Sequence, residues 1–178
     1  MIETETPDDY VALTEAPSLI VRRLLPAAVE TVWAHLTVSD LRRRWLAAGD
    51  MDLVVGASFD LVWRNDDLTD PPGNRPEGFP GVHSNENRIV ALERHRRLGF
   101  AFGSHGEVTI DIEQRGPNVL LTLIHTGVSD RSTLQMLGAS WHNHLDLLAT
   151  RLAGRTPTEP YWDKMRRLRA DYALRIPA

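Results

Sequence analysis

Ser132-Thr133-Leu134-Gln135-Met136-Leu137-Gly138-Ala139-Ser140-Trp141-His142-Asn143-His144-Leu145-Asp146-Leu147-Leu148-Ala149-Thr150-Arg151-Leu152 carries the strongest periodicity of the chain. Leu134, Leu137, Trp141, Leu145, Leu148 and Leu152 recur at steps of three and four, so they form one apolar stripe on an α-helix. That stripe must be covered. Ser132 reads as the N-cap and Gly154 as the C′ residue, which gives both ends a physical stop. From about Met51 to Val128 the pattern reads as strands, so the helix is expected to pack on a sheet, with any functional site between the two.

Working back through those strands, Glu107 to Gln114 sets Val108, Ile110 and Ile112 against Thr109, Asp111 and Glu113, the alternation of a half-buried antiparallel strand. Gly116-Pro117-Asn118 turns the chain into Val119 to Thr126, which puts Leu121, Leu123 and His125 on one face. Asn87 to Glu93 and Leu98 to Phe102 make an earlier pair, with Leu98, Phe100 and Phe102 on one side. Met51 to Val55 and Ala57 to Arg64 read as two further strands joined at Gly56, the second carrying Phe59, Leu61 and Trp63 on one face. Between them and Asn87, residues Asn65 to Ser84 hold Pro71, Pro72, Gly73, Pro76, Gly78, Pro80 and Gly81, a long loop that reads as a lid docking through Phe79.

Ahead of these lie an apolar strand, Ser18 to Leu25, a helix from Ala27 to Leu36 entered at Pro26, and a short helix capped by Ser39-Asp40 and running to Arg44 or Trp45. After Gly154, Tyr161, Met165, Leu168 and Tyr172 share one stripe of a second amphipathic helix, which packs on its own domain or mediates a homodimer. Residues 1–17 read as a flexible acidic arm, 18–154 as one α+β domain and 155–178 as a C-terminal extension.

With 178 residues, 42% hydrophobic and 25% charged, the chain suits one globular domain with a sizeable core. It has no cysteine, so disulfides and thiolate chemistry are excluded. A net charge of −4 argues against nucleic acid, and the run Arg42-Arg43-Arg44 reads as a solvated helix end or loop. No leader-like or membrane-spanning stretch stands out, so a cytoplasmic protein without membrane insertion is expected.

Phe59, Trp63, Phe100, Phe102 and Trp141 fall on the inward faces, where they either line a ligand cavity or fill a core. Trp45 and Phe79 are placed at the rim. His142 and His144 sit about 200° apart around the helix, so they cannot share one ion, and no metal site is expected. His144 borders the stripe with Leu145 and Leu148, while His142 and Asp146 face away, onto what reads as solvated helix surface. His125, at the end of an inward face, and His83, on the lid, are the candidates for moving a proton, each against the alternative of a hydrogen-bonded structural histidine. His35, His95 and His105 read as surface or turn residues. No nucleophile elbow, phosphate loop or dinucleotide fingerprint is present, and no cofactor is implied.

Arg23-x-x-Pro26 followed by Trp33, Val55-Gly56-x-x-Phe59, Leu121-Thr122-Leu123-Ile124-His125-Thr126-Gly127 and Trp141-His142-x-His144-Leu145-x-x-Leu148, in that order, resemble the START-like (SRPBCC) superfamily, and within it the branch named for activators of the heat-shock-protein-90 ATPase. The resemblance spans Ser18 to Leu152 and implies a helix-grip fold, a curved antiparallel sheet of six to seven strands around the long helix with an apolar cavity between them. The long loop and the second C-terminal helix depart from the family pattern. Three functions follow as expectations: binding of an apolar, aromatic or lipid-like small molecule; a polyketide cyclase or dehydratase activity; and a stress-related chaperone co-factor role. For the first, the wall would be Trp45, Phe59, Trp63, Phe79, Phe100, Phe102, Trp141, Leu145 and Leu148, with His83, His125 and His144 as polar anchors.

Overall fold

A computed structural model of the chain describes residues 8–14 and 18–177. Seven strands form one antiparallel sheet: β1 (Ala12–Leu13), β2 (Ser18–Leu25), β3 (Ser58–Trp63), β4 (His83–Glu93), β5 (Arg97–Phe102), β6 (Glu107–Arg115) and β7 (Asn118–Thr126). Their order across the sheet is β1-β2-β7-β6-β5-β4-β3. The helices are α1 (Val29–Thr37), α2 (Ser39–Arg42), α3 (Arg131–Leu152) and α4 (Tyr161–Arg175). Sheet and long helix together make the helix-grip architecture, with the curved sheet closed over α3.

Alternation decides the inner face. Ile110 pairs with Leu98 on one side and Leu123 on the other, and Leu123 with Val21, so one apolar rung crosses four strands. The next inward rung runs Ile89, Phe100, Val108, His125 and Leu19. All of these side chains are buried. A bulge between Ile89 and Ala91 bends β4 and helps the sheet wrap.

The N-cap of α3 lies two residues before the expected Ser132: it is Asp130, its Oδ2 accepting from the Thr133 N–H at 2.8 Å and the Thr133 hydroxyl at 2.6 Å. A carboxylate serves better here than a hydroxyl, because it also meets the positive end of the helix. Gly154, at φ 69°, ends α3 as expected, with the Arg155 N–H returning to the Thr150 carbonyl at 3.0 Å.

Met51 to Val55 is not a strand. Ala48 exchanges both backbone bonds with Val62, at 3.0 and 2.8 Å, and so occupies the outer edge of β3. With no edge left to pair with, Leu53, Val54 and Val55 are exposed despite their β-forming character. α1 begins at Val29 rather than Ala27, its first N–H accepted by Gln114 Oε1 at 2.9 Å. α2 stops at Arg42, which is not a solvated end: it is buried and donates to the carbonyls of Leu36, Ala47 and Gly49. His35, expected at the surface, is buried too, with Nδ1 on the Thr31 carbonyl.

Two further segments cover the outer side of α3. α4 docks its Tyr161, Met165, Leu168 and Tyr172 stripe there. The acidic arm lies partly outside the described residues; within 8–14, Val11 is buried and its N–H donates to the Tyr172 hydroxyl at 2.7 Å, so this part is docked rather than loose. Consequently His142 and Asp146 do not face solvent. Asp146 receives Arg23 at 3.2 Å, His142 at 3.2 Å and Lys164 at 2.7 Å, tying β2, α3 and α4 together. Burial pushes this carboxyl up, but the hydrogen bonds and charges of His142 and Lys164 outweigh it and hold it well below the usual carboxylate range.

Candidate functional site

The interior between sheet and helix is filled over most of its length. Phe59 and Phe100 meet edge to face at 5.5 Å, and with Trp45, Leu61 and Leu98 they enclose only about 10 Å³. Such a void barely admits one water. Trp45 is fully buried, its indole donating to the His35 carbonyl at 2.9 Å, so it belongs to this packing and not to a rim. Leu145 and Leu148 are likewise fully buried in the core. Tight packing of this kind is the normal fate of inward aromatic and aliphatic residues.

At one end the packing opens into a cavity of about 330 Å³. Its aromatic walls are Trp63 from β3, Phe102 from β5, Phe79 from the long loop and Trp162 from α4. α3 supplies Met136, Leu137, Ser140 and His144, which follow one another at helical spacing. Asn65, His83, Ser84, Asn85, His105, Tyr161 and Met165 complete it. No Asp, Glu, Lys or Arg lines it. Phe79 is 40% exposed and meets Trp162 at 5.8 Å, so the loop does dock at the mouth through Phe79.

Hydrogen bonds and ring contacts define several polar groups on the wall. Trp63 donates to Asn85 Oδ1 at 2.7 Å, and Asn85 in turn donates one Nδ2 hydrogen to Asn87 Oδ1 at 2.8 Å. His83 stacks on Trp63 with ring centres 5.8 Å apart and planes 7° from parallel; partial burial pushes its pKa down. His144 has Nδ1 at 2.7 Å from the Trp45 carbonyl, which can only accept, so the proton sits on Nδ1 and Nε2 is bare. The Tyr161 hydroxyl, 3.3 Å away, donates to that Nε2. Burial pushes the His144 pKa down to about 4 and the Tyr161 phenol up, so both stay neutral near pH 7.

A broader groove of about 700 Å³ lies elsewhere, on the outer face of the sheet beside Val29. Its charged walls satisfy each other, as Arg97 does with Asp111 at 2.7 Å, and it has no aromatic lining apart from His95. The 330 Å³ cavity is the better site.

The profile of the family described as activator of Hsp90 ATPase homolog 1-like protein matches residues 26–153. The chain belongs to this family. A solved structure from Bordetella parapertussis is 31% identical, with 97% of this chain and 93% of that one covered at a TM-score of 0.79. CalU16 from Micromonospora echinospora is 22% identical over 95% of this chain and 96% of its own, at a TM-score of 0.67. DynU16, from the dynemicin biosynthetic locus, is 20% identical over 87% of this chain and 50% of its own, at a TM-score of 0.60. No curated protein matches the chain. The family profile ends before α4, so Tyr161, Trp162 and Met165 reach the cavity from beyond the matched segment.

Among the residues expected at the site, the structure brings Trp63, Phe79, His83, Phe102 and His144 to the cavity. Trp45, Phe59, Phe100, His125, Trp141, Leu145 and Leu148 stay in the packed interior. His125 has no nitrogen to spare: Nδ1 accepts from the Trp141 indole at 3.0 Å, which leaves the proton on Nε2, 2.5 Å from the His105 carbonyl. Burial, partly offset by that carbonyl, pushes its pKa down. Among the described residues no three His, Cys, Asp or Glu side chains are grouped so as to hold a metal ion, and no helix is long and apolar enough to cross a membrane.

The first turn of α4 is what the sequence pattern did not reveal. Its stripe was visible, but local periodicity says only that Tyr161 and Met165 are covered, not that they cover a cavity. Met136 and Ser140 carried a signal that could have found them, since both lie three or four residues from another α3 wall position.

Proposed function

We propose that this chain binds a small, largely apolar aromatic molecule in the 330 Å³ cavity bounded by β3, β5, α3, α4 and the 65–82 loop. The observation that carries this reading is the wall itself: five large aromatic side chains, two methionines and no charged group around space that the fold leaves unfilled. Ligand sites run from about 300 to 1,000 Å³, so this one favours a compact ring system over an extended lipid chain. Burial of apolar area drives the binding, and the few polar groups orient the ligand. DynU16, a structural neighbour, comes from a biosynthetic locus, which fits a small-molecule role for the fold.

The test is a titration with 2-methoxynaphthalene followed by ligand-observed NMR, on the native chain and on Met136→Trp, which fills the cavity from α3 without removing a core contact. Saturable binding that Met136→Trp abolishes supports the reading. Absence of binding to the native chain, or equal binding to the filled variant, refutes it.

A catalytic version of the same reading, of the cyclase or dehydratase kind, rests on His83. Its ring has no hydrogen-bond partner among the described residues and faces the ligand space beside Trp63. A His83→Ala protein with undiminished turnover of a cyclising polyketone substrate removes it.

A further inference from the structure

At the His144–Tyr161 pair, the deeply buried part of the cavity wall, the unused hydrogen-bonding capacity has one sign. His144 spends its only proton on the Trp45 carbonyl, and Tyr161 spends its own on His144 Nε2. What remains at this pair is the lone-pair side of the Tyr161 oxygen, on a side chain only 2% exposed. That position accepts, so a ligand hydroxyl can donate to it, whereas a carboxylate or ketone oxygen brings only another acceptor there.

Resting on the cavity reading above, we propose that the Tyr161 oxygen, oriented by His144, accepts a hydrogen bond from an uncharged hydroxyl on the aromatic ligand, so that the first turn of α4 selects phenol-like molecules over their donor-free analogues. The relay is directional. The Trp45 carbonyl fixes the His144 tautomer, the bare Nε2 holds the Tyr161 proton, and the phenol oxygen is thereby turned into an acceptor polarised by its own donation. His144 is the positioning residue and Tyr161 the one that touches ligand. The near-neutral state of both groups around pH 7 is consistent with this, since neither offers a charge.

The experiment compares 2-naphthol with 2-methoxynaphthalene, which shares the ring system and the oxygen but has no proton to donate. Affinities are measured by ligand-observed NMR competition at pH 7, for the native chain and for Tyr161→Phe. One neutral hydrogen bond to a buried acceptor gives up to about tenfold in affinity, so the native chain is expected to favour 2-naphthol by up to about that factor and Tyr161→Phe to bring the ratio close to one. Equal affinities in the native chain, or a preference that survives Tyr161→Phe, overturns the inference while the cavity reading stands. If neither probe binds the native chain, the cavity reading falls and this one falls with it.

Discussion

Trp141 donates its indole N–H to Nδ1 of His125 at 3.0 Å, and the other nitrogen of that histidine is taken by the His105 carbonyl at 2.5 Å. The bond joins the middle of α3 to the end of β7, across the interface that defines the fold. It also turns a residue of catalytic type into a strut.

His125→Ala is therefore expected to act on stability. It strands a buried indole N–H and leaves a small void, a combination that costs about 2 to 4 kcal/mol. Urea unfolding reads this directly. Binding of 2-methoxynaphthalene, at a site His125 does not line, should persist in the folded fraction.

How far the fold could be read beforehand follows from the same region. Alternation in β6 and β7 and the three-four spacing of α3 are local, so they assign faces without knowledge of the rest. They do not say how tightly a face is filled. Phe59 and Phe100 were rightly inward, yet they pack on each other, whereas Trp63 and Phe102, four and two residues further along the same strands, stand at open space. That distinction depends on where α4 and the 65–82 loop dock, which is a long-range outcome. Met51 to Val55 shows the converse: β-forming residues with no free edge stay unpaired.

Acid should destabilise the chain through His144. In the unfolded chain this histidine takes up a proton near its ordinary 6.5, but in the folded chain only near 4, because burial opposes the charge, with His83 nearby adding repulsion. The folded pKa is depressed, so stability is flat above about pH 7 and falls as pH drops from about 6.5 towards 4, by about 3 kcal/mol. His83 and His125 shift in the same direction and steepen the fall. Urea unfolding at a series of pH values should show it, and His144→Asn should reduce the slope by about one proton. Asp146, held low by His142 and Lys164, loses its contribution only in still stronger acid.

Asp146→Asn should loosen α4. The substitution takes the ion-pair partner from Lys164 and leaves Arg23, whose side chain is 4% exposed, with only the exposed Asp9 at 3.8 Å. Breaking such a pair costs about 3 to 5 kcal/mol when fully buried, and Asp146 is 24% exposed, so the lower end, about 3 kcal/mol, is expected. Hydrogen exchange of amides in α4 should accelerate more than exchange in β6 and β7.

Gly138→Ala decides between two opposed effects. Alanine favours a helix over glycine by about 1 kcal/mol. Here its Cβ would stand 3.0 Å from Tyr172 Cδ1 and 3.2 Å from Cε1, on a ring fixed by Val11 and His142. Overpacking costs about 1 to 3 kcal/mol, so the net change should be destabilising and should appear as a lower Tm.

The central claim is that a ligand occupies the open end between sheet and helix, and the four methionines of the chain report on it directly. Met136 and Met165 line the cavity, whereas Met51 borders the filled interior near Trp45 and Phe59. With methyl-labelled methionine and 2-methoxynaphthalene at saturation, intermolecular NOEs are predicted to the Met136 and Met165 methyl groups and not to Met51. NOEs to Met51 alone, or none to Met136 and Met165 under conditions where the probe is bound, would contradict the account.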